Sequence, residues 1–131
     1  MERLILDTGV LIAAERGRAR LPDTDADVAI TAITASELLL GMELADGRRR
    51  ARRSQVVERV LETADILAFD LVAARHHARL TGHVRRIGDV RGAHDLIIAA
   101  TAAATGRTVL TTDRTGFCDL PGVLWQALPA M

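Results

Sequence analysis

Four acidic residues, Asp7, Glu37, Asp95 and Asp113, fall in separate segments of the 131-residue chain, each next to a junction between apolar and polar sequence. Asp7 closes the run RLILD, Glu37 follows VAITAI, Asp95 opens a long apolar stretch, and Asp113 follows TVLTT. In an open parallel sheet, ligands bind at the carboxyl ends of the strands, where helix N-termini also gather. Segments of this kind would bring all four acids to that edge. Close-set carboxylates repel one another and resist ionising together unless a cation compensates them. Hard cations such as Mg²⁺ or Mn²⁺ prefer oxygen ligands and can position a phosphodiester, activate water and stabilise a leaving oxygen. The chemistry indicated is phosphodiester hydrolysis without a lysine, cysteine or histidine nucleophile.

Each acid taken singly also has a structural use. Asp7 suits the N-cap of a helix beginning at Thr8. Glu37 fits a capping box, Thr34-Ala-Ser-Glu37. Asp95 complements a helix dipole, although a charge at the head of so apolar a helix needs a partner. Asp113 suits a turn in TTDRTG. What favours the shared site is that all four occur together at equivalent places.

The elements that must position them follow from periodicity. Arg3 to Asp7 reads as a strand and Thr8 to Glu15 as a helix, stopped by the charged, Pro-containing segment RGRARLPDTDAD. Val28 to Ile33 is a β-branched strand candidate, and Thr34 to Ala45 sets Ala35, Leu38, Leu39, Met42 and Ala45 on one helical face. After the run RRRARR from Arg48 comes an amphipathic helix with the stripe Val56, Val57, Val60, Leu61 and Ala64. Ile66 to Phe69 is a short strand, Leu71 to Arg86 a helix, and His94 to Thr105 a buried helix that Gly106 stops. Thr108 to Thr112 is a strand, and Val123 to Gln126 a last one. Alternating strands and helices imply right-handed crossovers. The expected fold is a three-layer α/β/α domain with a mostly parallel central sheet, one domain over 1–131.

Composition narrows the function. Hydrophobic residues make up 49% of the chain, enough for a real core, and the aromatics are only Phe69, Phe117 and Trp125, which disfavours base-stacking platforms. Charge balances at 17 basic against 17 acidic residues, so any nucleic-acid contact must be local. All the basic residues are Arg, which removes Schiff-base chemistry and lysine-dependent phosphate loops. A single cysteine, Cys118, forms no internal disulfide and no metal or redox motif, which suits a reducing cytoplasm. No apolar run reads as a signal peptide or membrane span.

The segments LILDTGVLI, ITAITASELLLG, AHDLIIAATA and VLTTDRTGF, in that order, resemble those of PIN-domain nucleases, specifically the VapC-type toxins of bacterial toxin–antitoxin pairs. The resemblance covers nearly the whole length. It implies an endoribonuclease dependent on Mg²⁺ or Mn²⁺, acting on tRNA or ribosomal RNA, held inactive by a cognate VapB-type antitoxin in the active-site groove, and usually a homodimer. It also implies that Thr8 and Thr112 are hydroxyls orienting metal or water, and that Asp113 is an auxiliary or second-metal ligand.

Arg86 and Arg91 flank the loop before Asp95 and are candidates for RNA phosphate, against a solvated role. His94 and Asp89 read better as structural and surface residues. The Arg48 to Arg53 run is unfavourable at a helix N-terminus and reads as a solvated face or a contact surface for RNA or antitoxin. Two rival functions stand beside the toxin: a PIN nuclease of RNA processing, and a degenerate PIN domain serving as a protein-binding module. A haloacid-dehalogenase-like phosphatase is excluded, since it needs an Asp two positions after Asp7 and residue 9 is Gly.

Overall fold

The computed structural model describes residues 1–22 and 25–128; Asp23 and Thr24, in the expected loop around Pro22, lie outside the described residues. The strands are β1 (Arg3–Leu6), β2 (Asp27–Thr31), β3 (Asp65–Leu67), β4 (Thr108–Thr111) and β5 (Trp125–Ala127). The helices are α1 (Thr8–Glu15), α2 (Ala32–Leu44), α3 (Gly47–Thr63), α4 (Leu71–Arg86) and α5 (Ala93–Thr105). The strand pairings are all parallel, in the order β3-β2-β1-β4-β5. The chain first steps outward from β1 to β2 and β3, then returns through α4 and α5 to lay β4 on the other side of β1. The gap between β1 and β4 is therefore the point where strand order reverses, the place where such sheets bind ligands.

Strand alternation divides the core. Ile5 and Val109 face α4 and α5, packing with Leu80, Val84, Leu96, Ile98 and Phe117. Leu4, Leu6 and Leu110 face the opposite way and pack with Leu11, Ile30, Leu38, Val57 and Val60. Helix α5 is the most deeply buried, and its Ala99, Ala100 and Ala102 are small enough to bring its backbone close to the sheet. On α3, Val57 and Val60 hold the helix down, each contributing roughly 1.5–3 kcal/mol by burial.

Several boundaries differ from the sequence reading, β3 spanning Asp65–Leu67 rather than Ile66 to Phe69 and β5 Trp125–Ala127 rather than Val123 to Gln126, and two of the differences change how side chains are used. Strand β2 ends at Thr31 rather than Ile33, and Thr31 is the N-cap of α2, its hydroxyl accepting from the Thr34 amide at 3.0 Å. The capping box expected at Thr34 and Glu37 is therefore absent, because Thr34 already lies inside the helix and Glu37 is a turn further along. The other difference is that α3 starts at Gly47, so the arginine run is helical. Arg53 of that run is inside the structure, its Nε donating to Glu15 at 3.1 Å and its Nη1 to the Gly41 carbonyl at 3.3 Å. It ties α3 to α1 and α2, while Arg48, Arg49, Arg50 and Arg52 stay exposed.

At the amino edge of the sheet, Gly106 ends α5 with a positive φ of 66°, and Arg107 follows it into the interior with 4% of its side chain exposed. Its Nη1 donates to Leu4 O at 3.1 Å and to Asp27 O and Oδ1, both at 3.0 Å. Nη2 lies 3.6 Å from Asp65. Among the described residues no helix is long and apolar enough to cross a membrane.

Candidate active site

Asp7 is the first residue beyond β1, buried at the switch point, with its amide donating to Leu110 O at 3.0 Å. It stands at the N-cap position of α1, yet its side chain makes no capping bond. Its Oδ2 instead accepts from the Thr111 hydroxyl at 2.8 Å. Alternation along β4 explains the partner, since the side that turns Val109 toward α5 turns Thr111 the same way. The sequence reading chose Thr112, which is exposed; its Oγ1 would lie 3.4 Å from a Cβ on Gly9. The doublet TTD held the signal, and strand parity would have selected its first member.

Asp95 lies in the first turn of α5, half-buried. Its carboxylate is wedged between two glycines: a Cβ on Gly116 would stand 2.9 Å from Oδ2, and one on Gly92 3.1 Å. Neither glycine stood out in the sequence. Glu37 reaches in from α2, its Oε1 accepting from Thr8 at 3.0 Å and its Oε2 lying 3.2 Å from His94 Nδ1. Thr8 also meets the buried Thr34 hydroxyl at 3.1 Å, so the Thr34 that looked like a cap is a support for this acid. Asp113 caps the 3-10 turn Arg114–Gly116, accepting at Oδ1 from the amide and hydroxyl of Thr115 at 3.0 and 2.7 Å.

The four acids act on one another. Burial pushes the Asp7 carboxyl above its ordinary range in spite of the Thr111 hydroxyl, and the charges of Asp113 and Glu37 push further. Burial also raises Asp95, followed by the charges of Asp7, Asp113 and Glu37, with His94 opposing. Among the described residues neither carboxylate is ion-paired to an arginine. Among the described residues no three His, Cys, Asp or Glu side chains are close enough to enclose a cation as they stand. In kind, however, they fit a hard dication: oxygen donors throughout, two of them buried with their charge uncompensated.

The two arginines expected to meet RNA have different settings. Arg86 is exposed at the end of α4. Arg91 has 10% of its side chain exposed and is bonded to Asp89 and to the Cys118 carbonyl. Beyond Glu37 and Thr8, a groove of about 320 Å³ runs between α1, α2 and α3. Leu11, Ile12, Leu38, Leu40, Leu44 and Val56 line it, and Arg16, Arg49 and Arg53 border it.

Comparison with known proteins agrees with this geometry. A family model described as PIN domain matches residues 4–123. Ribonuclease VapC5 of Mycobacterium tuberculosis is 40% identical over 114 residues, covering 83% of this chain and 82% of that protein. The tRNA(fMet)-specific endonuclease VapC of Salmonella typhimurium is 31% identical over 130 residues, covering 94% and 96%. The solved structure of VapBC-5, a toxin–antitoxin system of Mycobacterium tuberculosis, superposes with a TM-score of 0.75 at 34% identity over 95% of this chain and 96% of that one. With the acids at the switch point of an all-parallel sheet and the likeness running from β1 to beyond β4, the chain belongs to the PIN-domain family, among the VapC proteins.

Proposed function

We propose that this chain is a metal-dependent endoribonuclease, the toxin of a VapBC-type pair, cleaving phosphodiester bonds in tRNA or ribosomal RNA and inhibited by a cognate VapB-type antitoxin. The observation that carries it is the gathering of Asp7 and Asp95 with Glu37 and Asp113 at the switch point, where burial and then the neighbouring acids raise both carboxyls and only the Thr111 hydroxyl and Thr8 amide beside Asp7 and His94 beside Asp95 oppose the rise. Asp7, Asp95 and Glu37 hold Mg²⁺ or Mn²⁺, and Asp113 is an auxiliary ligand. The bound ion supplies charge neutralisation at the phosphodiester and activation of water. The chain's own groups do the rest. Thr111 fixes the Asp7 carboxylate by donating its hydroxyl proton to Oδ2. Thr8 and His94 hold Glu37 from two sides and aim it inward. Thr112 is placed to orient water or metal, and Arg86 to meet the RNA backbone.

The groove beside Glu37 supports the antitoxin part of this reading. Its apolar floor suits an amphipathic segment laid in helix-in-groove fashion, and an arginine on that segment would reach the acids bidentately and displace metal. The protein works as a single PIN unit over 1–131, as a homodimer, in the cytoplasm.

The test is to express the chain and its Asp7→Asn variant and map new RNA ends, with and without the neighbouring antitoxin gene. New ends are expected from the parent alone. Ends of equal number from both proteins would overturn the catalytic reading; a neighbour that neither binds nor suppresses cleavage would leave a PIN nuclease that is not a toxin.

A further inference from the structure

Arg91 lies between the two segments that carry Asp95 and Asp113. Its Nε donates to Asp89 Oδ2 at 2.8 Å, and its Nη2 donates to the Cys118 carbonyl at 2.7 Å. The first anchor is itself fixed: the Asp89 amide donates to Val84 O at 2.8 Å, and Oδ1 accepts from the Val90 amide at 2.8 Å. The second belongs to the turn after Asp113, where the Cys118 amide donates to Arg114 O at 3.2 Å and Phe117 is fully buried against the α5 side of the core. One guanidinium thus joins the approach to α5 to the turn following the last acid.

What lies between these segments is the Asp95 carboxylate. Gly116 sits so close to it that a Cβ would stand at 2.9 Å, so a small slide of the turn either presses on Asp95 or releases it. The Arg91 Nη1 is buried without a partner, a cost that an apolar side chain of similar length would not carry.

We propose that Arg91 is a positioning residue of the nuclease centre, latching the turn after Asp113 to the head of α5 and so setting where Asp95 and Asp113 stand for a divalent cation. This rests on the reading of the four acids as a metal site. It gives Arg91 a role other than direct contact with RNA phosphate, because it acts through the loop it fastens.

The experiment is an Mn²⁺ titration of the metal-free chain without RNA, followed by electron paramagnetic resonance, on the parent, Arg91→Met, Arg91→Lys and Asp95→Asn. Substitutions behind the ligands of a metal site typically cost about 10–100-fold in affinity, and Arg91→Met is expected to lie in that range. Amide hydrogen exchange should quicken at residues 114–118 and stay slow inside α5. Charge alone gives the opposite sign, since removing a cation near four acids strengthens their attraction for Mn²⁺. Arg91→Lys keeps the charge but lacks the planar fork, and should fall between the parent and Arg91→Met. If Arg91→Met fails to fold, Arg91→Lys decides: weakened Mn²⁺ binding with the same local exchange supports the latch, and parental binding overturns it. Asp95→Asn separates the two readings. Should it bind Mn²⁺ as tightly as the parent, the metal site falls and the latch with it; should it lose Mn²⁺ while both Arg91 variants bind like the parent, the latch alone falls.

Discussion

At the amino edge of the sheet the buried guanidinium of Arg107 meets Asp27, Asp65 and the Leu4 carbonyl, whereas at the carboxyl edge Asp7 is buried near Glu37 and Asp113 and, among the described residues, is ion-paired to no arginine. Both edges take charge out of water, and only one supplies the countercharge from the chain itself. The amino edge is a finished structural device: removing a member leaves an unpaired charge or orphaned carbonyls. On the proposed reading, the carboxyl edge takes its countercharge from a bound cation, and its acids cost the free protein stability in return for binding capacity. Helix–strand junctions of one protein can therefore be sorted into those built for the fold and those built for function by asking where the opposite charge comes from.

Exchanging one residue at each edge gives the largest contrast. Asp7→Asn or Asp95→Asn should lower RNA cleavage on the order of 10²–10³-fold or more, as loss of a group stabilising transition-state charge does, while melting no lower than the parent in EDTA. Arg107→Met should do the reverse. Breaking a buried, hydrogen-bonded charge should cost about 3 kcal/mol in denaturant unfolding, with cleavage per folded molecule nearly unchanged. Equal loss of activity from both variants would erase the distinction between the edges.

A smaller effect is expected where the acid edge is tightest. Gly116→Ala puts a methyl into the space of the Asp95 carboxylate, and overpacking of this kind costs about 1–3 kcal/mol unless Asp95 gives way. The expected result is a modest drop in melting temperature with a larger drop in Mn²⁺ affinity. Unchanged affinity would mean that Asp95 has more freedom than its glycine walls imply.

The smallest effect is in pH dependence, and it has opposite signs at the two edges. The Arg107 bond holds the Asp27 carboxyl below its ordinary value of 3.8, so its contribution is present above that value and fades as pH falls through the lowered one. Asp7 and Asp95 are raised from 3.8, so the folded metal-free protein binds more protons than the unfolded chain and loses stability as pH rises from 3.8 through the raised values. Asp27→Asn should therefore lower the neutral-pH melting temperature and leave the strongly acidic one unchanged. Asp7→Asn should raise the metal-free melting temperature at neutral pH and lose that advantage near pH 3.8. Melting curves across pH in EDTA check both.

Much of this contrast was legible in the sequence on one side only. Periodicity revealed the alternating elements and the three layers, because α3 and α4 keep their apolar stripes and β1 and β4 are short and bounded by polar turns; the stripe expected on α2 holds only in part, since Leu39 is exposed and Ala45 lies beyond the helix. The acids were visible because Asp7 and Asp113 follow strands while Glu37 and Asp95 fall in the early turns of helices. Their supports were less visible. Thr111 was masked by its neighbour Thr112, Thr34 by its likeness to a cap that in fact lies three residues earlier at Thr31, and Gly116 by the fact that its contact, Asp95, is far off in the chain. Arg107 drew no notice and Arg53 was read only as part of a solvated run, since an anchoring arginine is recognisable only once its long-range partners, Asp27 for one and Glu15 for the other, are folded beside it.

The measurement that bears most directly on the acid edge is RNA cleavage by purified parent and Asp7→Asn proteins, first in excess EDTA and then after Mn²⁺ is restored. Activity of the parent should vanish in EDTA and return with Mn²⁺, and Asp7→Asn should stay inactive in both. Full parental cleavage in excess EDTA would contradict the view that these four carboxylates work by holding a cation.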